Sequence, residues 1–283
     1  MPRTGPFFVP AQRSQGGMSR PGNLHGVVAS LLVGPREPLP GRYTADAVEV
    51  FDPDERVRFL DSSGAARDQR QLAWELLYRI EPELYARLVE GEGLHDGVLA
   101  WLPAHSERVL EIGAGAGRLT LQLAGRSTSV TAVEPAAPLR RLLAERLRAA
   151  GADNVDVVRG FFDDLPAPAH GCDLVVSCSA FCVSELDDPE HCLEVMEGCA
   201  APGGMVAIIW PDDVPWLRTH GFSHTAFAGP MLVEYASLDE ALEMARIFYP
   251  DAVAAVALRG SRFVDYLTIG LNAPRDVCWK RCP

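Results

Sequence analysis

Residues 109–120 read VLEIGAGAGRLT, and this stretch decides the fold class of the chain. An apolar run ends in an acid, Glu111, and opens at once into a turn with glycine at positions 113, 115 and 117. The pattern predicts a buried strand that breaks into a glycine turn with a helix behind it. Glycine is needed where the backbone takes positive φ or where a ligand approaches it closely. We therefore expect this turn to lie against a ligand.

A second apolar run, residues 130–133, ends in Glu134. The two acids are expected at the carboxyl ends of neighbouring strands, where open α/β sheets bind their ligands. The dinucleotide fingerprint G-x-G-x-x-G needs a glycine at position 118, and the chain has Arg118 there. A carboxylate beside the turn repels a pyrophosphate and attracts an ammonium group. The pattern therefore favours S-adenosylmethionine, a phosphate-free cation, over a nicotinamide dinucleotide.

On these residues the sequence resembles the class I S-adenosylmethionine-dependent methyltransferase family, over roughly residues 93–270. Further matching segments are FFDDLP at 161–166, CDLVVS at 172–177 and PGG at 202–204. The resemblance implies an α/β fold with a Rossmann-like, seven-stranded, mostly parallel sheet, helices on both faces and an N-terminal helical cap. It also implies that S-adenosyl-L-methionine is the cofactor and that the chain is an enzyme that transfers its methyl group.

The cofactor contacts follow from these positions. Glu111 is expected to hold the ammonium group, directly or through water, and Glu134 the ribose hydroxyls. Family members often have an acid after the third strand for the adenine amine, but Gly160 and Phe161 stand there. Either Asp163 reaches the amine, or backbone and water do so while Phe161 or Phe162 packs on the ring. The predicted cofactor-binding residues are Tyr85, Glu111, Gly113, Ala114, Gly115, Gly117, Glu134, Pro135, Phe161, Phe162, Asp163 and Cys178.

Tyr85 belongs to this set because family members often place a cap tyrosine against the methionine carboxylate, although it is also suited simply to pack the cap. Catalytic residues are harder to assign, because in-line displacement on a sulfonium needs a base only if the acceptor loses a proton. His220 and His224 are predicted as general bases, since an imidazole titrates near neutral pH. Loop histidines are more often bystanders, and Glu185 is a weaker alternative.

Composition narrows the partners. The net charge of −12 argues against a nucleic-acid partner, which needs clustered Lys and Arg. No apolar run approaches the ~20 residues of a membrane-spanning helix. Seven cysteines, an odd number, suit free thiols in a reducing cytoplasm. No C-x-x-C pair exists and serines end the fourth strand, so no metal site is predicted. The expected partner is a small-molecule substrate, with a homodimer as a further expectation.

The expected organisation is a disordered tail at 1–22, a cap region at 23–92 and a methyltransferase domain at 93–283 with a substrate-covering insertion at 210–231. Residues 23–66 are expected to form either an arm exchanged between subunits or a lid. Cap helices are predicted within 67–90, divided at Pro82. Predicted strands are 108–112, 129–134, 155–159, 172–178 and 204–210, predicted helices are 117–125, 136–150, 188–200 and 237–248, and a closing hairpin is predicted from 252–258 and 262–269.

These observations predict a methyltransferase that acts on a small molecule, such as a secondary metabolite. The alternative is a protein that binds the cofactor without transferring its methyl group, as a scaffold or in another use of the cofactor.

Overall fold

The computed structural model describes residues 42–165 and 171–283. The tail expected at 1–22 and the first part of the cap region, 23–41, lie outside the described residues. The strands in chain order are β1 (Ser106–Ile112), β2 (Ser127–Val133), β3 (Val155–Val158), β4 (Cys172–Cys178), β5 (Ala200–Ile209), β6 (Ser223–Ala226), β7 (Leu232–Glu234), β8 (Phe263–Asp265) and β9 (Asp276–Arg281).

Seven of these strands form one sheet in the order β3-β2-β1-β4-β5-β9-β6. Strands β1 to β5 pair in parallel, and β9 runs antiparallel to both β5 and β6. The order reverses between β1 and β4, so the carboxyl ends of these two strands border the crevice in which such sheets bind ligands. The mostly parallel, Rossmann-like sheet is the architecture that the sequence predicts.

Helices cover both faces of the sheet. They are α1 (Pro53–Phe59), α2 (Gln69–Ile80), α3 (Pro82–Glu92), α4 (Asp96–Trp101), α5 (Thr120–Ala124), α6 (Ala137–Ala150), α7 (Pro189–Cys199), α8 (Val214–Thr219), α9 (Leu238–Phe248) and α10 (Val253–Arg259). Alternate side chains of a strand point to opposite faces. Leu110 and Ile112 of β1 therefore pack with residues of α7 and α8, whereas Val109 packs with α4 and α5.

The hairpin expected from 252–258 and 262–269 is wrong. Residues Val253–Arg259 form α10, and β8 pairs antiparallel with β7 in a separate two-stranded sheet. Strands β6 and β9 close the large sheet instead. The run AVAAVAL at 252–258 is rich in alanine, the strongest helix former, and Gly260 ends the helix at a φ of +59°. A short run that is apolar at every position cannot be assigned to a strand or to a helix from periodicity alone.

The cap helices α2 and α3 are divided at Pro82, as predicted, and the Asp68 side chain accepts backbone N–H bonds that begin α2. Residues 45–66, here called the lid segment, pack on these helices. Phe51 and Phe59 form one apolar cluster with Leu72 and Leu76. The described part of the segment packs on the cap helices, and the choice between a lid and an arm exchanged between subunits stays a prediction.

A buried charge cluster fastens the lid segment to the cap. The Arg79 side chain is 3% exposed and pairs with Glu55 of α1 at 3.0 Å and with Glu75. Its guanidinium also lies 4.5 Å from the centre of the Phe51 ring. If the segment moved away, one partner of this buried pair would be left as an uncompensated charge, which is costly. The pair therefore holds the segment in this position. In the described part of the chain, no helix combines the length and apolar character needed to span a bilayer.

The backbone is closely packed at the start of β5, where Gly204 leaves no room for a side chain. A methyl group at Gly204 would lie 2.7 Å from the carbonyl oxygen of Cys172 and 2.8 Å from that of Ala201. Both are backbone atoms that cannot swing away, so Gly204→Ala should lower the free energy of unfolding by about 1–3 kcal/mol.

The matched control is Gly198→Ala in α7, where the added methyl group would meet no atom within 4 Å apart from its chain neighbours and the backbone of its own helix. This change should raise stability by up to about 1 kcal/mol through helix propensity. Urea unfolding of both variants checks the pair, and equal destabilisation would contradict the packing described for β5.

Candidate functional site

A cavity of about 290 Å³ opens at the carboxyl ends of β1, β2 and β4. Its walls come from the glycine turn, from the cap and lid segment, and from the chain after β3 and β4. The lining residues are Arg58, Phe59, Gln71, Glu75, Tyr78, Tyr85, Ile112, Gly113, Gly115, Glu134, Pro135, Leu139, Gly160, Phe161, Phe162, Asp163, Cys178, Ser179, Ala180, Cys182, Glu185, Leu186, Asp187, Asp188, His191 and Cys192. This is the crevice where an α/β sheet of this order binds a ligand.

The glycine turn has the backbone that the sequence predicts. Gly113, Gly115 and Gly117 have φ angles of +77°, +56° and +96°, a region that disfavours any Cβ. A methyl group at Gly113 would collide with the Ala180 side chain, and one at Gly117 would lie 2.6 Å from Leu143. Gly113 and Gly115 line the cavity. The turn therefore needs glycine both for its conformation and for close packing.

Glu134 forms part of the cavity wall directly after β2. Its Oε2 accepts a hydrogen bond from the Gly115 N–H at 2.9 Å, and its Oε1 accepts one from the Ala136 N–H at 2.8 Å. The residue is 4% exposed, and burial raises the pKa of its carboxyl to about 7. Each oxygen has a second lone pair for a ligand donor. The side chain is thus held rigidly while it keeps capacity to accept ribose hydroxyls.

Glu111 lies beneath the turn and does not line this cavity. It is 1% exposed, and its Oε2 has no hydrogen-bond partner within the described structure. Burial raises the pKa of this carboxyl to about 8, and the Thr120 hydroxyl and the nearby Arg118 oppose the rise. An orphaned buried oxygen is costly unless a bound group satisfies it. Its contact with an ammonium group stays a prediction, and its depth favours an indirect contact.

The residues after β3 line the opposite wall. Asp163 accepts two bonds from Arg58 Nη1, at 2.8 Å and 3.0 Å, and the same guanidinium lies 4.0 Å from the centre of the Phe161 ring. Phe162 packs edge-on against Phe181 with ring centres 5.4 Å apart. All three predicted adenine contacts, residues 161 to 163, line the cavity, and the lid segment engages two of them.

The remaining predicted cofactor residues divide into two groups. Tyr85, Pro135 and Cys178 line the cavity, and the Tyr85 hydroxyl would lie 3.5 Å from a methyl group at Gly115. Ala114 and Gly117 belong to the turn but do not line the cavity. The structure thus brings together nine of the twelve predicted residues at one surface, with Glu111, Ala114 and Gly117 beneath it.

The two predicted catalytic histidines do not line this cavity. His224 lies in β6, and its Nε2 is 3.0 Å from Asp276 Oδ2 of β9. The His220 ring lies 3.9 Å from that of Trp216, and its Nδ1 is 3.0 Å from the Trp216 carbonyl oxygen. Segment 210–231 supplies α8 and the edge strand β6, so its aromatic residues pack the sheet and do not cover the cavity. The general-base prediction for these histidines therefore lacks geometric support.

Several cavity residues were not found from the sequence. Arg58 and Phe59 come from the lid segment, which showed no clear motif. Gln71, Glu75 and Tyr78 follow the helical spacing that places them, with Tyr85, on one side of the cap. That spacing was a usable signal. Glu185, the weaker alternative base, lies in the wall, as does His191 at the start of α7.

The residues present fit S-adenosylmethionine. The glycine turn allows a ligand to approach closely, and the Glu134 carboxylate has spare acceptor capacity for a ribose. The buried acid beneath the turn, Glu111, suits a cationic amino-acid end. Aromatic side chains at 161 and 162 suit an adenine ring.

Comparisons with known proteins show similarity to methyltransferases. A family model described as a methyltransferase domain matches residues 109–204. An uncharacterized methyltransferase of Mycobacterium tuberculosis is 27% identical over 184 residues, 62% of this chain and 68% of that protein. An uncharacterized methyltransferase of Bacillus velezensis is 37% identical over 98 residues, 34% of this chain and 43% of that protein.

A solved S-adenosylmethionine-dependent methyltransferase from Clostridium acetobutylicum has a TM-score of 0.39 and 15% identity. The match covers 44% of this chain and 54% of that one, about half its length.

The raised pKa of Glu111 predicts a pH-dependent stability of the ligand-free protein. The folded carboxyl keeps its proton up to about pH 8, whereas the unfolded one releases it near its ordinary value of 4.5. The contribution of this carboxyl to the free energy of unfolding is therefore fully present below about pH 4.5, and it declines as pH rises towards 8. Between about pH 5 and 7 the loss is about 1.4 kcal/mol per pH unit for this proton.

Glu111→Gln is neutral at every pH and should lack this part of the slope. Urea unfolding at several pH values measures the difference between variant and wild type. The control is Glu145→Gln on the exposed side of α6. If wild type and Glu111→Gln change in parallel with pH, the assignment of a protonated buried carboxyl is wrong.

Proposed function

Because this chain belongs to the class I S-adenosylmethionine-dependent methyltransferases, we propose that it methylates a small-molecule acceptor bound beside the cofactor in the cavity described above. The enzyme uses S-adenosylmethionine, which when bound supplies an already activated methyl group. The protein's part is to bind, to align the acceptor in line with the leaving sulfur and to keep water out.

The observation that carries the cofactor assignment is the position of Glu134. A carboxylate buried to this degree is expensive unless its oxygens are satisfied. Here two backbone N–H groups hold it, one from the glycine turn and one from the start of α6. The same turn is bare of side chains at the cavity surface. A hydroxyl-bearing nucleoside is the ligand chemistry that uses both features.

The nature of the cavity supports a small acceptor. Its roof consists of the lid segment and the cap, whose Phe59, Tyr78 and Tyr85 lie above the glycine turn. Arg58 pairs with Asp163 at 2.8 Å and so joins this roof to the cavity wall after β3. A folded nucleic acid or a protein surface does not enter a roofed cavity without displacing the roof. The net charge of −12 also opposes phosphate-bearing partners.

Acceptor activation is assigned to the cavity wall and not to segment 210–231. Glu185 follows β4 in the wall, where its ion pair with Arg70 has a distance of 3.5 Å. His191 is a second group there that is able to accept a proton. Either serves as base if the methylated atom carries a proton. A secondary metabolite with a hydroxyl or amine group is the class of acceptor that this arrangement suits.

Glu134→Gln should weaken binding of S-adenosylhomocysteine by about 10–100-fold, because one ribose contact is lost and the new amide N–H faces a backbone donor. Isothermal calorimetry measures the affinity. Glu145→Gln changes the same charge on the exposed surface of α6 and should bind like wild type. Unchanged affinity in Glu134→Gln would remove the main support for the cofactor site.

The acceptor class is tested with methyl-labelled S-adenosylmethionine. The enzyme is incubated separately with small metabolites, with total RNA and with unfolded basic proteins, and label in each fraction is counted. Label in the small-molecule fraction alone is expected. Label in RNA or protein would contradict the small-molecule proposal. No label in any fraction, with intact cofactor binding, would favour the non-methylating alternative.

A further inference from the structure

Arg118, the residue that breaks the dinucleotide fingerprint, has no part in the function described so far. Its side chain is 12% exposed, and Nη1 lies 3.2 Å from Oε2 of Glu92, whose side chain is fully buried. Arg118 precedes the N-terminus of α5 and Glu92 ends α3, so each charge lies at the helix end that disfavours it. Buried pairs are also weak sources of stability because desolvation is costly. These costs point to a role beyond folding.

The other terminal nitrogen of the guanidinium reaches the cavity wall. Nη2 donates to Ser179 Oγ and lies 3.5 Å from Cys178 Sγ. Ser179 follows β4 with a φ of +55°, an uncommon value for a residue with a Cβ. Its backbone N–H donates to the Ile209 carbonyl oxygen at 3.0 Å. Backbone strain of this kind persists where the surroundings fix it, and it concentrates at functional sites.

The hydrogen-bond inventory of Ser179 shows what it offers to a ligand. A guanidinium only donates, so Ser179 Oγ accepts in this pair and its own proton is available. The thiol of Cys178, 3.8 Å away, is only a weak acceptor. A neighbouring positive charge favours an anionic partner for this O–H group. The group that fits is a carboxylate oxygen.

We propose that Arg118 is a positioning residue that holds Ser179 so that its hydroxyl donates to the carboxylate of the amino-acid end of the bound cofactor. This inference rests on the proposed function, because it takes S-adenosylmethionine as the occupant of the cavity. Ser179 is the residue in contact with the ligand, and Arg118 acts through it.

The anchoring of Glu92 explains why the arrangement is rigid. Tyr249 Oη donates to Glu92 Oε1 at 3.3 Å, and Tyr266 Oη donates to the Glu92 carbonyl oxygen at 2.5 Å. Both tyrosines are buried. The Trp210 ring lies 5.9 Å from the guanidinium and packs edge-on against Tyr266. Contacts from the cap and from the C-terminal elements thus fix the arginine that fixes Ser179.

Two probes isolate the carboxylate contact. S-adenosylhomocysteine carries the amino-acid end, and methylthioadenosine has the same nucleoside and thioether without it. Ser179→Gly removes the hydroxyl and accepts the left-handed backbone at no steric cost. It should bind S-adenosylhomocysteine about tenfold more weakly and methylthioadenosine as wild type does, measured by calorimetry. Arg118→Met should give the same selective loss, and the double variant no further loss, because both residues act as one unit.

Arg118→Met leaves Glu92 buried without its cation and can prevent folding, so Ser179→Gly carries the test by itself. The matched control is Arg141→Met on the exposed side of α6, which should bind both probes normally. Affinity of Ser179→Gly for S-adenosylhomocysteine within twofold of wild type overturns the proposal. Equal losses for both probes also overturn it, since they indicate structural damage. Wild-type protein that binds neither probe would instead contradict the proposed function.

Discussion

Burial of two carboxyl groups at the ends of adjacent parallel strands is the constraint on which the site depends. Glu111 and Glu134 are both almost wholly removed from solvent, and burial raises the pKa of each. Backbone N–H groups of Gly115 and Ala136 donate hydrogen bonds to the buried Glu134 carboxylate. The bond from Gly115 depends on the left-handed backbone of the glycine turn. A Cβ at Gly113 would collide with Ala180 and one at Gly117 would lie 2.6 Å from Leu143, whereas Tyr85 lies within ordinary contact of Gly115. One buried acid, Glu134, thus joins the end of β2 to the glycine turn and to the start of α6.

Much of this was predictable from the sequence because its causes are local. A strand that ends in an acid and glycines has few conformations, and residues 113 to 117 adopt the expected one. Pro82 divides the cap helices for a reason contained in its own ring. The alternation of strands and helices gave the parallel sheet. Glu134, which directly follows the neighbouring strand β2, was placed by the same logic.

The errors arose where the outcome depends on distant partners. His224 is set by the pairing of β6 with β9, more than fifty residues away in sequence, so its isolated appearance in an aromatic-rich segment was misleading. Residues 252–258 are apolar throughout, a pattern that a buried strand and a buried helix share, and only the pairing of β8 with β7 shows that the expected hairpin does not form. Arg58 enters the wall through a contact with Asp163 that no local pattern announces. Side chains that converge through tertiary packing leave no spacing to read.

The ion pairs that hold the lid segment differ in strength. The pairs of Arg58 with Asp163 and of Arg159 with Asp54 join groups that are substantially exposed, and Arg159 also lies 3.3 Å from Oε1 of the buried Glu55. Surface ion pairs of this kind contribute only about 0–1 kcal/mol each. The segment is therefore held firmly around Glu55, through Arg79, and more weakly where Arg58 meets Asp163. Separation of Arg58 from Asp163 should therefore require less free energy than detachment of the segment from the cap helices.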